Sequence, residues 1–392
     1  MQLLFICADV VYEGVGPMRV GIITLEDYTN YGNRLQNYAL CTLVKELGCE
    51  VYSGLTCFEK SEWVRTEKSR SKRIIKQMLP FVLYKKHVER SLDKYESCRN
   101  KLMDERIRKF KQFTRSYTEC IPVLVVKDDS DLARKLNEKS YDFFITGSDQ
   151  VWNPIYRENS FYFLTFAPPG KRLSFAASIS SDKISEADKL LYSRYFREMK
   201  YISVREESAA QLIKQISGRY ADVTLDPTLL LSAEQWNQVI RKPSVELDED
   251  YICTYFLGEV PKCVQEFADL KNLKVLQLNS MENPELFSID PAEFMYILKN
   301  SKYVLTDSFH AVVFSVIFHK EFYVFRRQQK GLANMFSRIE SITKKLNLEN
   351  HIQDRRFIVE QNAIENWKKI DSFLQQERSI SISMLKQVMG MI

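Results

Sequence analysis

The sequence predicts an α/β protein with two Rossmann-like domains facing each other across a cleft, and three observations predict it. Short apolar runs alternate with stretches of helical spacing along most of the 392 residues. That alternation stops at "LDPTLLLSAEQW" (225–236) and the polar "VIRKPSVELDED" after it, then resumes on a smaller scale. The length exceeds one ordinary core.

In chain order the strand-like runs are "RVGIITL" (19–25), "YDFFITG" (141–147), "KRLSFAAS" (171–178), "YISVR" (201–205), "YICTYFLG" (251–258), "LKVLQLN" (273–279) and "YVLTDSF" (303–309). Helical segments lie between them. The first is marked by Leu35, Tyr38, Ala39, Thr42, Leu43 and Leu47 before Gly48. Strand and helix in alternation are the βαβ signature of an open, mostly parallel sheet. The break after Trp236 divides the chain into an N-terminal Rossmann-like domain over 18–240 and a second over 241–345, with closing helices over 346–392. Residues 1–17 precede a second methionine, Met18, and read either as a peripheral extension or as an extra edge strand.

Apolar residues make up 45% and charged residues 27%, the balance of a soluble globular protein. Eight cysteines stand singly, with no CxxC pair and no histidine at ligand spacing, which argues against zinc and a disulfide framework and for reduced thiols in the cytoplasm. No apolar run is long enough to span a bilayer, and no cleavable leader is visible. The net charge of +5 conceals an asymmetry. Residues 60–115 hold 18 Lys and Arg against 7 Asp and Glu, leaving 38 basic against 44 acidic residues elsewhere. This basic helical insertion reads either as a solvated hairpin or as a surface for an anionic membrane or a lipid-linked anion. Nucleic acid is disfavoured, because the cations lack interleaved aromatics. P-loop, zincin, dinucleotide and hydrolase-elbow patterns are absent.

In open α/β sheets ligands sit beyond the carboxyl ends of the strands, and four such ends are polar. In "EDYTNYGNRLQNYAL" a helix beginning near Asn33 either is simply capped or aims free N–H groups at an anion, with Gly32 allowing close approach and Asn30 and Asn33 adding amides. In "YDFFITGSDQVWNP" the turn Gly147, Ser148, Asp149 is a capped turn or an anion and hydroxyl site, with Trp152 a core residue or a sugar-stacking face. Arg205 follows directly on "YISV"; buried, it must either pair with Glu206 or Glu207 or clamp a carboxylate or phosphate. His310 opens a helix after "YVLTDS", as a structural histidine or as a proton-exchanging group.

Taken together, "NYGNRLQNYAL", "YDFFITGSDQVWNP", "SFAASIS", "YISVREES", "TLDPTLLLSAEQW", "YICTYFLG" and "YVLTDSFHAVVFSVIFHKEF" resemble the polysaccharide pyruvyl transferase family over about 19–348. The resemblance implies a glycosyltransferase-B-like fold and transfer of a pyruvyl group from phosphoenolpyruvate to a hexose of a surface polysaccharide or its lipid-linked precursor, commonly as a cyclic ketal. Phosphoenolpyruvate would be a donor substrate, so no cofactor and no metal are expected. His310 would alternate between acid and base, Arg205 would clamp the donor, and Asp149 would assist. Asn30, Gly32, Asn33, Gly147, Ser148 and Ser308 would line the donor, while Trp152 and Asp226 would face the acceptor. Some members carry an arginine where this chain has Ser308, so a second donor cation is expected from Arg326, Arg327 or Arg338. The competing expectations are a nucleotide-sugar glycosyltransferase on the same fold and a scaffold that has lost its site.

Overall fold

The computed structural model describes residues 16–53, 57–58, 89–118, 125–126, 134, 141–154, 160–180, 184–327, 336–356, 358, 364 and 366–392. Residues 1–15 and the first part of the basic insertion, 60–88, lie outside them, while its remainder, 89–115, is described.

The first half is built on β1 (Arg19–Ile23), β2 (Glu50–Ser53), β3 (Phe143–Thr146) and β4 (Arg172–Ser174), all parallel, in the order β2-β1-β3-β4. Bridges Leu173 to Tyr201 and Ala177 to Val204 attach a short pair, β5 (Ser203–Val204) with β6 (Asp222–Val223). Helix α1 (Tyr31–Glu46) follows β1, and α2 (Glu89–Tyr117) precedes β3. The helices α3 (Glu186–Arg197) and α4 (Glu207–Ser217) lead into and out of β5.

The second half repeats the plan with β7 (Tyr251–Tyr255), β8 (Lys274–Gln277), β9 (Tyr303–Thr306), β10 (Glu321–Phe325) and β11 (Ile352–Gln353), parallel in the order β8-β7-β9-β10-β11. Its helices are α5 (Cys263–Lys271), α6 (Pro291–Asn300), α7 (Phe309–Ile317) and α8 (Ser337–Leu346). Every residue of β7 is buried, as expected for an inner parallel strand covered on both faces. The second sheet takes β11 from beyond the boundary placed at 345. The final helix α9 (Trp367–Met389) returns to the first half, where Arg378 donates from Nε to the Leu229 carbonyl at 2.7 Å. The result is a glycosyltransferase-B-like α/β architecture. Among the described residues no helix is long and apolar enough to cross a membrane.

In each sheet the first strand lies inside, so its crossovers leave in opposite directions and open a crevice beyond the strand ends. One switch point falls between β1 and β3, the other between β7 and β9. The apolar core continues from Val20 and Ile22 into Tyr251 and Val304, joining the halves. Tyr31, the first residue of α1, is central to that junction. Its ring stacks on Phe294 at 4.3 Å, lies 5.3 Å from Tyr255 and 4.9 Å from Phe110, and its hydroxyl donates to the Ile289 carbonyl at 3.3 Å. Arg106 of α2, 1% exposed, completes it by donating to the Thr29 carbonyl at 2.8 Å and the Phe287 carbonyl at 3.0 Å while lying over the Tyr31 and Phe287 rings.

Because Tyr31 fills the seam between the halves, Tyr31→Ala should cost about 3 to 5 kcal/mol of folding stability, as for other large aromatic truncations in cores. Tyr31→Phe removes only the bond to Ile289 and should cost about 1 kcal/mol. Urea unfolding midpoints of the two variants check the ratio.

Candidate active site

The strand ends at the two switch points converge on one cluster. Arg205 leaves β5 buried, and its Nη1 donates to Asp226 Oδ2 at 2.6 Å. Its Nε donates to Glu206 Oε1 at 3.4 Å, and Nη2 lies 3.6 Å from Asp149 Oδ1. Asp226 is held in turn from below: its Oδ1 accepts from the Thr228 amide at 3.0 Å and the Thr228 hydroxyl at 2.6 Å, and its Oδ2 accepts from Ser148 Oγ at 3.1 Å. Pro227 starts a short 3-10 turn with Asp226 as its N-cap, which explains why this loop can aim one carboxylate oxygen at its own backbone and the other at Arg205.

Asp149 is fixed from the other side. Its Oδ2 accepts from Asn33 Nδ2 at 2.6 Å and its Oδ1 from the Gln150 amide at 2.9 Å. Gln36 of α1 accepts from the Ser148 amide at 3.0 Å, so α1 and the turn after β3 are stitched together. The turn needs glycine at 147: φ there is +115°, and a Cβ would sit 2.3 Å from the Phe175 carbonyl oxygen. Gly32 has a different reason. A Cβ at that position would lie 1.9 Å from His310 Nδ1, so the first turn of α1 and the imidazole from the opposite half occupy adjoining space.

His310 Nε2 stands 3.9 Å from Asp226 Oδ2, beyond hydrogen-bond reach, and has no hydrogen-bond partner among the described residues. Two guanidiniums flank the neighbouring Phe309 ring, that of Arg205 at 5.2 Å and that of Arg338 at 5.5 Å. Arg205 Nη2 and Arg338 Nε are likewise buried and without a hydrogen bond among the described residues. Three donors that are cationic or can become so therefore lie buried with hydrogen-bonding capacity unmet among the described residues, which costs stability unless an acceptor enters.

Burial pushes the His310 imidazole down to about 4, against the pull of Asp226, so it is neutral at pH 7 in the free protein. Burial also lowers Arg338 to about 10, with Arg205 adding repulsion; both guanidiniums stay charged. For Arg205 burial is outweighed by Asp226, Glu206 and Asp149, and its affinity for its proton is raised. Burial would raise Asp149 and Asp226, but Arg205 and His310 beside them hold both below the ordinary carboxylate range.

Of the residues singled out by sequence, Arg205, His310, Asp149, Asn33, Gly32, Gly147, Ser148 and Asp226 come together, and Arg338 joins them. Arg327 instead pairs with Asp307 at 3.0 Å and Arg326 with the exposed Glu340, so Arg338 is the second cation of the cluster. Asn30 caps α1, its Oδ1 accepting from the Asn33 amide at 3.3 Å. Ser308 is the buried N-cap residue of α7, though its side chain makes no capping bond. Two expectations are corrected. Trp152 is 0% exposed, stacks on Phe163 at 5.7 Å and donates to the Tyr162 carbonyl, so it offers no face to a sugar. Asp226 is 2% exposed with both oxygens occupied, so it supports Arg205 and does not face an acceptor. Gln36 and Thr228 join the cluster although their amide and hydroxyl carry no motif in the sequence, and Glu206, beside Arg205 in the chain, reads there only as its structural partner. Among the described residues no group of His, Cys, Asp or Glu could hold a metal ion.

A family model described as polysaccharide pyruvyl transferase matches residues 30–329. Comparison with curated proteins gives no match. Similar solved structures include UDP-GlcNAc 2-epimerase from Neisseria meningitidis bound to UDP-GlcNAc, 10% identical over 96% of this chain and 100% of that one, with a TM-score of 0.44. The UDP-GlcNAc 2-epimerase of Methanocaldococcus jannaschii is 11% identical over 92% and 99%, TM-score 0.44. A Glycyrrhiza uralensis protein complexed with glycyrrhetinic acid 3-O-monoglucuronide is 9% identical over 95% and 91%, TM-score 0.40.

Gly32→Ala should drive the imidazole from its seat and lower stability by about 1 to 3 kcal/mol, the usual range for overpacking; the displaced His310 ring resonances in NMR spectra check it. The imidazole also predicts a pH slope. It binds a proton near 6.5 in the unfolded chain and near 4 in the fold, so between those values the unfolded state holds more protons. This part of the stability is complete above about 6.5 and is lost as pH falls toward 4. In denaturant titrations across that window, His310→Asn should flatten the slope.

Proposed function

The chain belongs to the polysaccharide pyruvyl transferase family, and from that premise we propose that the cleft transfers a pyruvyl group from phosphoenolpyruvate to a hexose of a surface-polysaccharide repeat unit carried on a lipid, forming a cyclic ketal. The observation that supports the reading is that Arg205 Nη2, Arg338 Nε and His310 Nε2 are buried with no hydrogen bond among the described residues, donors that a small molecule with a carboxylate and a phosphate would satisfy. On this reading the protein works in the cytoplasm, at the inner membrane face where lipid-linked saccharides are presented.

The residues then divide the work. Arg205 and Arg338 hold the donor's anionic oxygens and oppose the charge that builds on the departing phosphate. Asp226, fixed by Thr228 and Ser148, keeps the Arg205 fork in place. An anionic donor beside His310 favours the imidazolium, so the group that is neutral in the free protein becomes an acid when the donor binds. It can then protonate C3 as a sugar hydroxyl adds to C2, and in the second half accept the proton of the next hydroxyl.

Incubation with phosphoenolpyruvate and a panel of lipid-linked saccharides should release phosphate only with a suitable acceptor, and mass analysis should find a pyruvyl addition with loss of water. Absence of both across the panel, with turnover of a uridine diphosphate sugar instead, would replace this reading by the glycosyltransferase one. His310→Ala should abolish turnover while the melting temperature holds. Arg338→Met should weaken phosphoenolpyruvate binding at least about 30-fold by calorimetry, as for loss of one partner of a buried charge contact. It should leave the melting temperature unlowered, because Arg338 has no carboxylate partner within 4 Å among the described residues.

A further inference from the structure

Ketal formation from one donor and two hydroxyls moves protons twice, and one group cannot serve both transfers in a single half-reaction. As the first hydroxyl oxygen bonds to C2, its proton must leave while C3 gains one. When phosphate departs with the C2–O electron pair, it takes up a proton, while the second hydroxyl loses its own. His310 can serve as the C3 acid and then as the second base. A base for the first hydroxyl is still required, and it must start unprotonated.

The carboxylates of the cluster are Asp149, Asp226 and Glu206. Asp149 has Oδ1 engaged by Gln150 and Oδ2 by Asn33. Asp226 has Oδ1 engaged by Thr228 and Oδ2 by Arg205 and Ser148. Glu206 differs. Its Oε1 accepts from Ser178 Oγ at 2.5 Å and from Arg205 Nε at 3.4 Å, while Oε2 is buried with no hydrogen bond among the described residues. Glu206 is also the N-cap residue of α4, where a carboxylate would normally bond its own helix, yet its side chain makes no capping bond. It is turned instead toward Arg205, and it is the carboxylate that most strongly attracts Arg338. A buried carboxylate oxygen left without a hydrogen bond is satisfied by a hydroxyl, which donates to it.

We propose that Glu206 is a second catalytic residue, whose Oε2 receives the first acceptor hydroxyl and takes its proton as that oxygen bonds to C2 of the donor. The proposal rests on the pyruvyl transfer reading above. The proton then held on Glu206 passes to the departing phosphate, and the proton of the second hydroxyl passes to His310. After one turnover Glu206 is again a carboxylate and His310 again an imidazolium, so the cycle closes with phosphoenolpyruvate and a diol converted into ketal and phosphate.

The test uses the full chain and the lipid-linked saccharide that gains a pyruvyl mass in the panel above. Glu206→Gln should bind phosphoenolpyruvate as the wild type does by calorimetry and lose about 10²- to 10⁴-fold in turnover, the usual contribution of a general base. Glu206→Ala should regain turnover when formate is added, which a purely structural role would not allow. Turnover by Glu206→Gln within about tenfold of wild type overturns the proposal, as does an inactive Glu206→Ala that formate fails to restore. Loss of donor binding in step with turnover also overturns it, since Glu206 would then act only by holding Arg205. Wild-type protein that reacts with a uridine diphosphate sugar and not with phosphoenolpyruvate overturns the pyruvyl reading and the proposal with it, whereas wild-type pyruvyl transfer with an unimpaired Glu206→Gln overturns the proposal alone. Protein inert to both removes both.

Discussion

The site depends on one buried ion pair, Arg205 with Asp226. An arginine at 7% exposure is sustainable only if carboxylates surround it, and an aspartate at 2% exposure only if donors fill both its oxygens. Each condition recruits more of the chain. Asp226 draws in the turn at Thr228 and the hydroxyl of Ser148; Ser148 is tied to α1 through Gln36; and α1 delivers Asn33 to Asp149, which closes on Arg205 again. Four separate loops are thereby locked at the ends of the first sheet. The arrangement costs solvation for every charge in it, so it is poorly explained as a device for stability. It is well explained as preorganisation, which keeps donors aimed before a ligand arrives.

The second sheet contributes differently. It brings no carboxylate to the cluster, but it supplies His310 and Phe309 from the start of α7 and Arg338 from α8. Its own switch-point carboxylate, Asp307, is consumed by the amides of Leu257 and Gly258 and by Arg327. The two halves thus differ: the first supplies a carboxylate and guanidinium network that leaves Arg205 Nη2 and Glu206 Oε2 without hydrogen bonds among the described residues, and the second supplies the imidazole and the second guanidinium. Contact between the walls is fixed by the Tyr31 junction and by Arg106. That cation has its carbonyl partners in both halves and packs on aromatic faces, so the loop entering α1 cannot shift without disturbing the second half.

Much of this was legible in the sequence, because parallel sheets announce themselves by alternation and bind ligands at strand ends. Arg205, His310, Gly147 and Gly32 were visible there as residues out of character with an apolar strand or a helix start. Other features were not legible, for identifiable reasons. Trp152 sits in a polar turn by sequence, and only tertiary packing against Phe163 and Phe196 decides that it faces the core. Arg338 stands among several arginines in its region, and nothing local distinguishes it from Arg327. Glu206 is hidden by adjacency: beside Arg205 it reads as a neighbour that neutralises it, and the free Oε2 that sets it apart is a property of three-dimensional accounting alone.

On the proposed pyruvyl transfer the histidine must change state. In the free protein the cluster holds two guanidiniums and three carboxylates around a neutral imidazole, a net negative charge that would repel an anion. An anionic ligand can enter only by satisfying the unpartnered cationic donors and by making the imidazolium form favourable, since each negative charge near His310 counters the burial that keeps it neutral. Binding and proton uptake are then a single event. On the proposed transfer, the acid is created by the arrival of the substrate that consumes it.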